Sequence, residues 1–493
     1  MAEVAVVVLD QPAGETPAAR AFLPLLLPLL LMLLVLLRHL GSSRGERSKV
    51  PPSPPALPLV GHAHLVGALP HVSLRDLAAR HGGEDGLMML RLGTVPTLVA
   101  SSPRAAQLVL RAHDRSFASR PRSASGDVLM YGPSDIALAP YGEWWRQAKK
   151  LVSTHLLSAN KVGLLINKIR GLAETRAALD LSKLLTNFMN DMVCRAVAGQ
   201  SFRVEGREKN FYPGLAKLAG GVLVSPTRRK AKKVRDRWDE LLDKLIDEHA
   251  NEDGDEESDF IHVLLSVQEE FGLIRDNIKA ILIDMLAAGT DNKYLVLEFA
   301  MAELMLHQDA MAKLQHEVRS VAQDHQNGID EDSLTGMTYL RAVVKETLRL
   351  HPPSPFLLPH LSVEDCDVGT YTIPAGTTVL VNAWAIGRDP RLWDAAEEFM
   401  PERFVHGEDT EADDFRGNNL RFLPFGSGRR MCPGINFSLA SIEILLANLV
   451  YHFDWELPEG QVNIDMTEVY GLTVRRKEKL VLTPRIRMTC CKH

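Results

Sequence analysis

Phe425-Gly426-Ser427-Gly428-Arg429-Arg430-Met431-Cys432-Pro433-Gly434 is the stretch that decides how this chain folds. Three glycines in ten residues let backbone pass close to a flat partner. Downstream, Ile435, Leu439, Ile442, Leu446, Leu449 and Phe453 keep the spacing of one helical face. Cys432 therefore sits at or just before a helix N-terminus, and Pro433 fits a first turn, where its missing N–H costs nothing. A helix N-terminus and the nearby Arg430 both favour a thiolate. Such a sulfur can be a nucleophile, a metal ligand or a buried structural thiol, and the arginine-rich, glycine-rich setting argues against the inert choice.

The stretch resembles the haem-binding loop of the cytochromes P450, F-x-x-G-x-R-x-C-x-G, at Phe425, Gly428, Arg430, Cys432 and Gly434. Glu346 and Arg349 resemble that family's E-x-x-R, on a helix that Pro352 and Pro353 end. Arg403, within Pro401-Glu402-Arg403-Phe404, resembles the third member of the same ion network. Alone, an i,i+3 pair on a helix surface is worth little; the resemblance makes the trio a buried structural brace. Trp145 and Lys149 resemble W-x-x-x-R, with lysine keeping the charge and losing the bidentate fork. By the resemblance, Cys432 is the axial ligand of haem b, and Trp145, Lys149, His360 and Arg430 meet its propionates. The pattern is most similar to the plant microsomal A-type group, whose members hydroxylate specialised metabolites. The implied fold is mainly α with a small β-rich part, behind an N-terminal transmembrane anchor.

Outside these motifs the composition sets bounds. In 493 residues, 46% are apolar and 24% charged, with a net charge of −6, so neither a disordered nor a polytopic membrane chain is indicated. Nucleic-acid binding, which favours basic chains, is not expected. The five cysteines, Cys194, Cys366, Cys432, Cys490 and Cys491, show no CxxC pair and no disulfide spacing. Ala21 to Leu37 is an unbroken apolar run spanning about 26 Å as a helix. Acidic residues dominate before it, and Arg38, Arg44, Arg47 and Lys49 follow; the positive-inside rule then places the N-terminus in the lumen. The expected organisation is a lumenal tail (1–20), an anchor in the endoplasmic reticulum membrane (21–40), a basic, proline-rich linker (41–58) and a cytosolic domain (59–493).

Within that domain, Leu87–Leu92 and Thr97–Ala100 read as a hairpin turning through Gly93 to Pro96. Tyr371–Ile373 and Thr377–Val381 read as a second strand pair around Pro374-Ala375-Gly376. Trp238, Leu241, Leu242 and Leu245 mark a helix that begins in the basic run Arg228 to Arg237, a solvated face. The acidic segment Asn251 to Asp259 is expected to be exposed. Ile281, Met285, Ala288, Leu295, Phe299 and Ala302 keep one face of a long helix, with Asn292 its polar member.

Thiolate ligation favours O–O cleavage over reversible oxygen binding, and the resemblance implies that this long helix delivers the protons. Ala288-Gly289-Thr290-Asp291-Asn292 stands where the family has A/G-G-x-D/E-T. Asp291 is the retained acid; Asn292 replaces the usual threonine, and an amide cannot pass a proton as a hydroxyl does. Substrate contacts are expected from Val128, Met130, Leu286, Thr290, Phe356 and Leu472. Related chains carry longer segments near Val162–Gly163 and Asn210–Phe211. The expected activity is NADPH-dependent monooxygenation of a small apolar metabolite by a monomer. Electrons come from NADPH–cytochrome P450 reductase, docked against Arg146, Lys149, Lys150 and Arg429. Two rivals remain: a haem-thiolate isomerase or dehydratase, and an inactive or poorly coupled haem-binding relative.

Overall fold

The computed structural model describes residues 50–132, 134–155, 162–199, 226–251, 259–321, 329–405 and 414–487. The anchor, the segment around 210 and Cys490 and Cys491 lie outside the described residues, and Val162–Gly163 open a helix whose preceding residues are outside them too. The long apolar face forms one helix, Arg275–Leu306, of 32 residues. Ile281, Leu295, Phe299 and Ala302 on it are all at most 1% exposed. It packs along Leu181–Ala198 on one side and against Ile435–His452, which starts just after Cys432, on another. Ile442, Leu445, Leu446 and Leu449 of the latter join Leu340, Val343 and Leu348 of Thr338–Leu350 in the largest apolar core. Burying one leucine-sized side chain stabilises by about 1.5–3 kcal/mol, so these internal helices hold the architecture. Ile435–His452 is the described helix long and apolar enough to cross a membrane, and 61% of that window is buried inside the protein. It is a core helix.

The β-rich part is small. Leu87–Leu92 and Val95–Ala100 form the expected antiparallel hairpin, but the second strand starts two residues early. Gly93, at φ +62°, takes the turn with Thr94. The second expected pair is corrected. Tyr371–Ile373 pairs with Cys366–Val368, while Thr378–Val381 runs parallel to Val95–Ala100 and antiparallel to His360–Leu361. The physical reason lies at Pro374-Ala375-Gly376. The Ala375 N–H donates to Asp365 and the Gly376 N–H to the Ser362 carbonyl, which sends the chain away from its predecessor. Val379 and Val381, both 0% exposed, then complete the centre of a four-stranded sheet.

The helix expected around Trp238 spans Pro226–Ala250. Arg229, Lys232, Lys233 and Arg237 are exposed, as a solvated face requires. The acidic segment is corrected at its end: the Asp259 side chain is only 7% exposed. It caps the helix Phe260–Ser266 and lies within 2.8 Å of His249 Nε2 and 3.1 Å of His262 Nδ1. Capping together with two imidazoles outweighs hydration of that carboxylate.

Candidate active site

Cys432 opens onto a cavity of about 260 Å³ between the glycine-rich loop and the long helix. The loop is held by its own backbone: the Cys432 N–H donates to the Phe425 carbonyl at 3.0 Å. Gly428 is required twice over. Its φ is +70°, and a β-carbon there would lie 2.0 Å from the Leu110 carbonyl oxygen. Burial pushes the Cys432 thiol above its ordinary range, opposed by the Gly434 backbone N–H and the Lys149 ammonium. The cation acting on the sulfur is thus Lys149, not the neighbouring Arg430. Lys149 donates to the Arg429 carbonyl at 2.7 Å and lies over the Trp145 ring, so it is turned inward, away from the proposed docking face.

A second group of residues closes the cavity beside Trp145, whose indole N–H donates to the Ile136 carbonyl at 2.9 Å. Arg430 lies 4.2 Å from the centre of that ring and donates to the carbonyls of Ala118, Ile136 and Ala139. Arg120 approaches from another loop and donates to the carbonyls of Ala137, Leu358 and Pro359. Burial, with repulsion from Arg430 next, lowers Arg120 to about 9. Burial likewise lowers Arg430 to about 10, against the attraction of Asp135. His360 Nδ1 donates to the Phe117 carbonyl, 2.8 Å away, and burial with these two arginines lowers it to about 3. A rim of two destabilised guanidiniums and one neutral imidazole suits two carboxylates. A flat apolar group carrying two propionates and seeking a thiolate fits this donor set. Arg120 escaped the sequence reading, because a lone arginine before Pro121 carries no periodic signal.

The brace lies behind the cysteine loop. Glu346 meets Arg349 at 2.7 and 2.8 Å and Arg403 at 3.0 Å. Glu346 is 0% and Arg349 2% exposed. The remaining Arg349 donors go to the carbonyls of Gly387, Ala396 and Glu398, and the Met400 N–H goes to Glu346. Every charged atom in the trio is engaged, which is the condition for a buried network to hold.

The long helix turns Met285, Ala288, Gly289, Asn292, Lys293 and Val296 into the cavity. Asn292 Nδ2 donates back to the Ala288 carbonyl at 3.3 Å, and its buried Oδ1 has no partner among the described residues. Lys293 is 1% exposed, its Nζ has no hydrogen-bond partner among the described residues, and it lies 3.7 Å from the centre of the Phe437 ring. Burial lowers it to about 7. Asp291 does not line the cavity; burial raises its carboxyl to about 6. Lys293 also escaped the sequence reading, although a lysine four residues after Gly289 on a buried helix was a legible signal.

The residues expected to touch substrate lie elsewhere. Leu286 and Met130 are packed into a side core with Trp238 and Leu245, and Val128 packs against that core. The Thr290 hydroxyl donates to the Leu286 carbonyl, one helical face round from Asn292. Phe356 packs with Leu74 and Met88, and Leu472 is 45% exposed. Leu357, the residue after Phe356, lines the cavity instead. The two helix positions miss because Leu286 and Thr290 are each about 200° in phase from Ala288 at ~100° per residue.

Residues 51–483 match the family described as Cytochrome P450. An indole-2-monooxygenase of Zea mays is 50% identical over 474 residues, covering 88% of this chain and 87% of that protein. The maize indolin-2-one monooxygenase is 48% identical and the maize 3-hydroxyindolin-2-one monooxygenase 47%, each covering 90% of both chains. A zebra fish cytochrome P450 solved with progesterone superposes with a TM-score of 0.74 at 25% identity, covering 85% of this chain and all of that one. The chain therefore belongs to the cytochrome P450 family, whose members bind haem iron through a cysteine thiolate, and it is a monooxygenase of the plant A-type group.

Proposed function

We propose that Cys432 is the axial ligand of the haem iron and that the enzyme inserts one oxygen atom into a small indole-type metabolite. The observation that carries this is the shared cavity. One wall holds the cysteine loop and the other an apolar helix face, joined by a rim that suits propionates. The haem, when bound, supplies oxygen activation. The protein residues orient it, exclude water and govern protons. Arg120, Arg430, Trp145 and His360 hold its carboxylates, with Lys149 tied to the loop beside the sulfur. The substrate class follows from the relatives' printed activities, on indole, indolin-2-one and 3-hydroxyindolin-2-one.

In this reading, residues 21–40 anchor the enzyme in the endoplasmic reticulum membrane and NADPH–cytochrome P450 reductase supplies electrons. Exposed Arg146, Lys150 and Arg429 contribute the docking face. Arg146 pairs with Glu143 and Arg429 with Asp114, which tempers the positive field and leaves Lys150 its most available charge. Rates of reduction that fall with ionic strength test that face.

Reductase-coupled turnover of indole, preceded by a reduced-CO spectrum, tests the whole. A thiolate-type band with an oxygenated indole product supports the reading, and absence of haem uptake overturns it. A poorly coupled enzyme is the second reading, favoured by the amide of Asn292 where the family has a hydroxyl. A haem-thiolate isomerase would turn over hydroperoxide without reductase.

A further inference from the structure

Two neighbouring polar groups on the cavity wall lack partners, and neither has a role in holding the cysteine loop. Asn292 Oδ1 is a buried acceptor with no donor among the described residues. Lys293 Nζ is a buried donor with no acceptor among the described residues, and it lies over the Phe437 ring. Leaving such groups unsatisfied is costly, and native proteins keep few of them without a reason. Both residues face the cavity that contains Cys432.

We infer that Asn292 and Lys293 form a recognition pair for a cyclic amide, a small heterocycle in which a ring N–H stands next to a carbonyl. The N–H donates to Asn292 Oδ1 and the carbonyl accepts from Lys293 Nζ, so one ligand satisfies both orphans at once. This rests on the indole-type reading and sharpens it. Indole itself offers an N–H and no acceptor, and would leave the lysine unpaired. A carboxylate would bring a second charge into the buried wall, and its pairing with Lys293 would have to offset that desolvation. Burial alone disfavours the Lys293 ammonium, and a neutral carbonyl accepts its N–H without adding a second buried charge. A site built around such a polar pair discriminates strongly against analogues that leave it unpaired.

The test uses the full-length, haem-loaded protein and optical binding titrations with three probes: indolin-2-one, indole and indole-2-carboxylate. Wild type is expected to bind indolin-2-one about tenfold or more tighter than indole, or ~1.4 kcal/mol per tenfold. Lys293→Met is expected to erase that preference while changing indole affinity by less than about twofold. Lys293→Gln, which keeps a donor, retains part of it. Should the methionine variant load haem poorly, Lys293→Ala serves the same comparison. Equal affinity for indole and indolin-2-one in wild type overturns the inference, as does a preference that survives Lys293→Met. Tighter binding of indole-2-carboxylate than of the lactam overturns the assignment of a neutral ligand. A wild-type protein without a thiolate-type reduced-CO band would instead strike at the haem-thiolate reading. A normal band without lactam preference strikes only at this pair.

Discussion

The two walls of the cavity obey opposite rules. On the cysteine wall the polar atoms are engaged: the Cys432 N–H on Phe425, Lys149 on the Arg429 carbonyl, Arg430 on three carbonyls, and Ser427 between Arg111 and the Gly417 carbonyl. Behind it the Glu346 brace is complete. On the long-helix wall Asp284 accepts from the Ile136 and Ala137 N–H groups, but Asn292 Oδ1 and Lys293 Nζ have no partner among the described residues. Asp291, on the same helix but off the cavity, is held near 6 by burial. A fully satisfied network is rigid and specifies one geometry, as a permanent cofactor site demands. Unsatisfied groups are the mark of a surface that completes its bonding with something that comes and goes.

Breaking the cysteine wall should give the largest effects. Cys432→Ser is expected to abolish the thiolate-type reduced-CO band while leaving far-UV circular dichroism unchanged. A surviving band would mean that another residue ligates the iron. Glu346→Ala leaves Arg349, 2% exposed, as an uncompensated buried charge. A loss of about 3–5 kcal/mol is expected, because removing one partner strands the other. Urea denaturation of the haem-loaded protein reads it. A loss below ~1 kcal/mol would show that the trio behaves as a surface pair.

How far the two walls could be read from residues alone follows the same division. The cysteine wall depends on local requirements. Gly428 needs a positive φ and bare space against Leu110, Glu346 and Arg349 sit one helical turn apart, and each leaves a trace at fixed spacing. The long helix was equally visible, because its apolar period runs unbroken. What stayed hidden depends on chain segments that meet only in the folded molecule. Arg120 reaches the rim from 310 residues before Arg430 with no pattern around it, and its role appears only through the carbonyls of Leu358 and Pro359. The strand Thr378–Val381 looked like the partner of Tyr371–Ile373 because nearness in sequence favours hairpins. Its true neighbours are Val95–Ala100 and His360–Leu361. Substrate-facing positions were missed for a simpler reason: Leu286 and Thr290 share the helix with Ala288 and Asn292 but point into packed side chains.

On the helix wall the effects should be smaller and opposite in sign. The folded protein raises Asp291 from 3.8 to about 6 through burial, so the folded state binds the proton more tightly than the unfolded one. Stability therefore falls as pH rises from about 4 to about 6, and the cost is fully present above that window. Asp291→Asn is expected to stabilise the protein at pH 7.5 by about 1–2 kcal/mol, below the ~3 kcal/mol that the shift alone implies. At pH 4, where the native carboxyl is already protonated, it should change little. Denaturation at the two pH values checks this, and equal effects at both would show that the carboxylate is not destabilised. A carboxylate kept at such a cost, one residue from Asn292, is a candidate for proton traffic, because stability is commonly sacrificed at working sites.

Asn292→Thr probes the least costly difference between this chain and the family pattern. The amide now bonds back to Ala288 and leaves Oδ1 facing the cavity. It can orient a water but cannot relay a proton as a hydroxyl can. If oxygen activation is poorly coupled for that reason, threonine should raise the fraction of NADPH that appears as product by a few-fold. That corresponds to about 1 kcal/mol in the partition between hydroxylation and peroxide release. Fold stability should move by less than that, since the side chain anchors no other element. The measurement is NADPH consumed against product and peroxide formed, in wild type and variant together. Tight one-to-one coupling in wild type, unchanged by threonine, would mean that Asn292 serves recognition alone, leaving the proton path to Asp291 and bound water. The same substitution also removes the acceptor from the lactam pair. Improved coupling together with weaker indolin-2-one binding would therefore show both roles meeting in one side chain.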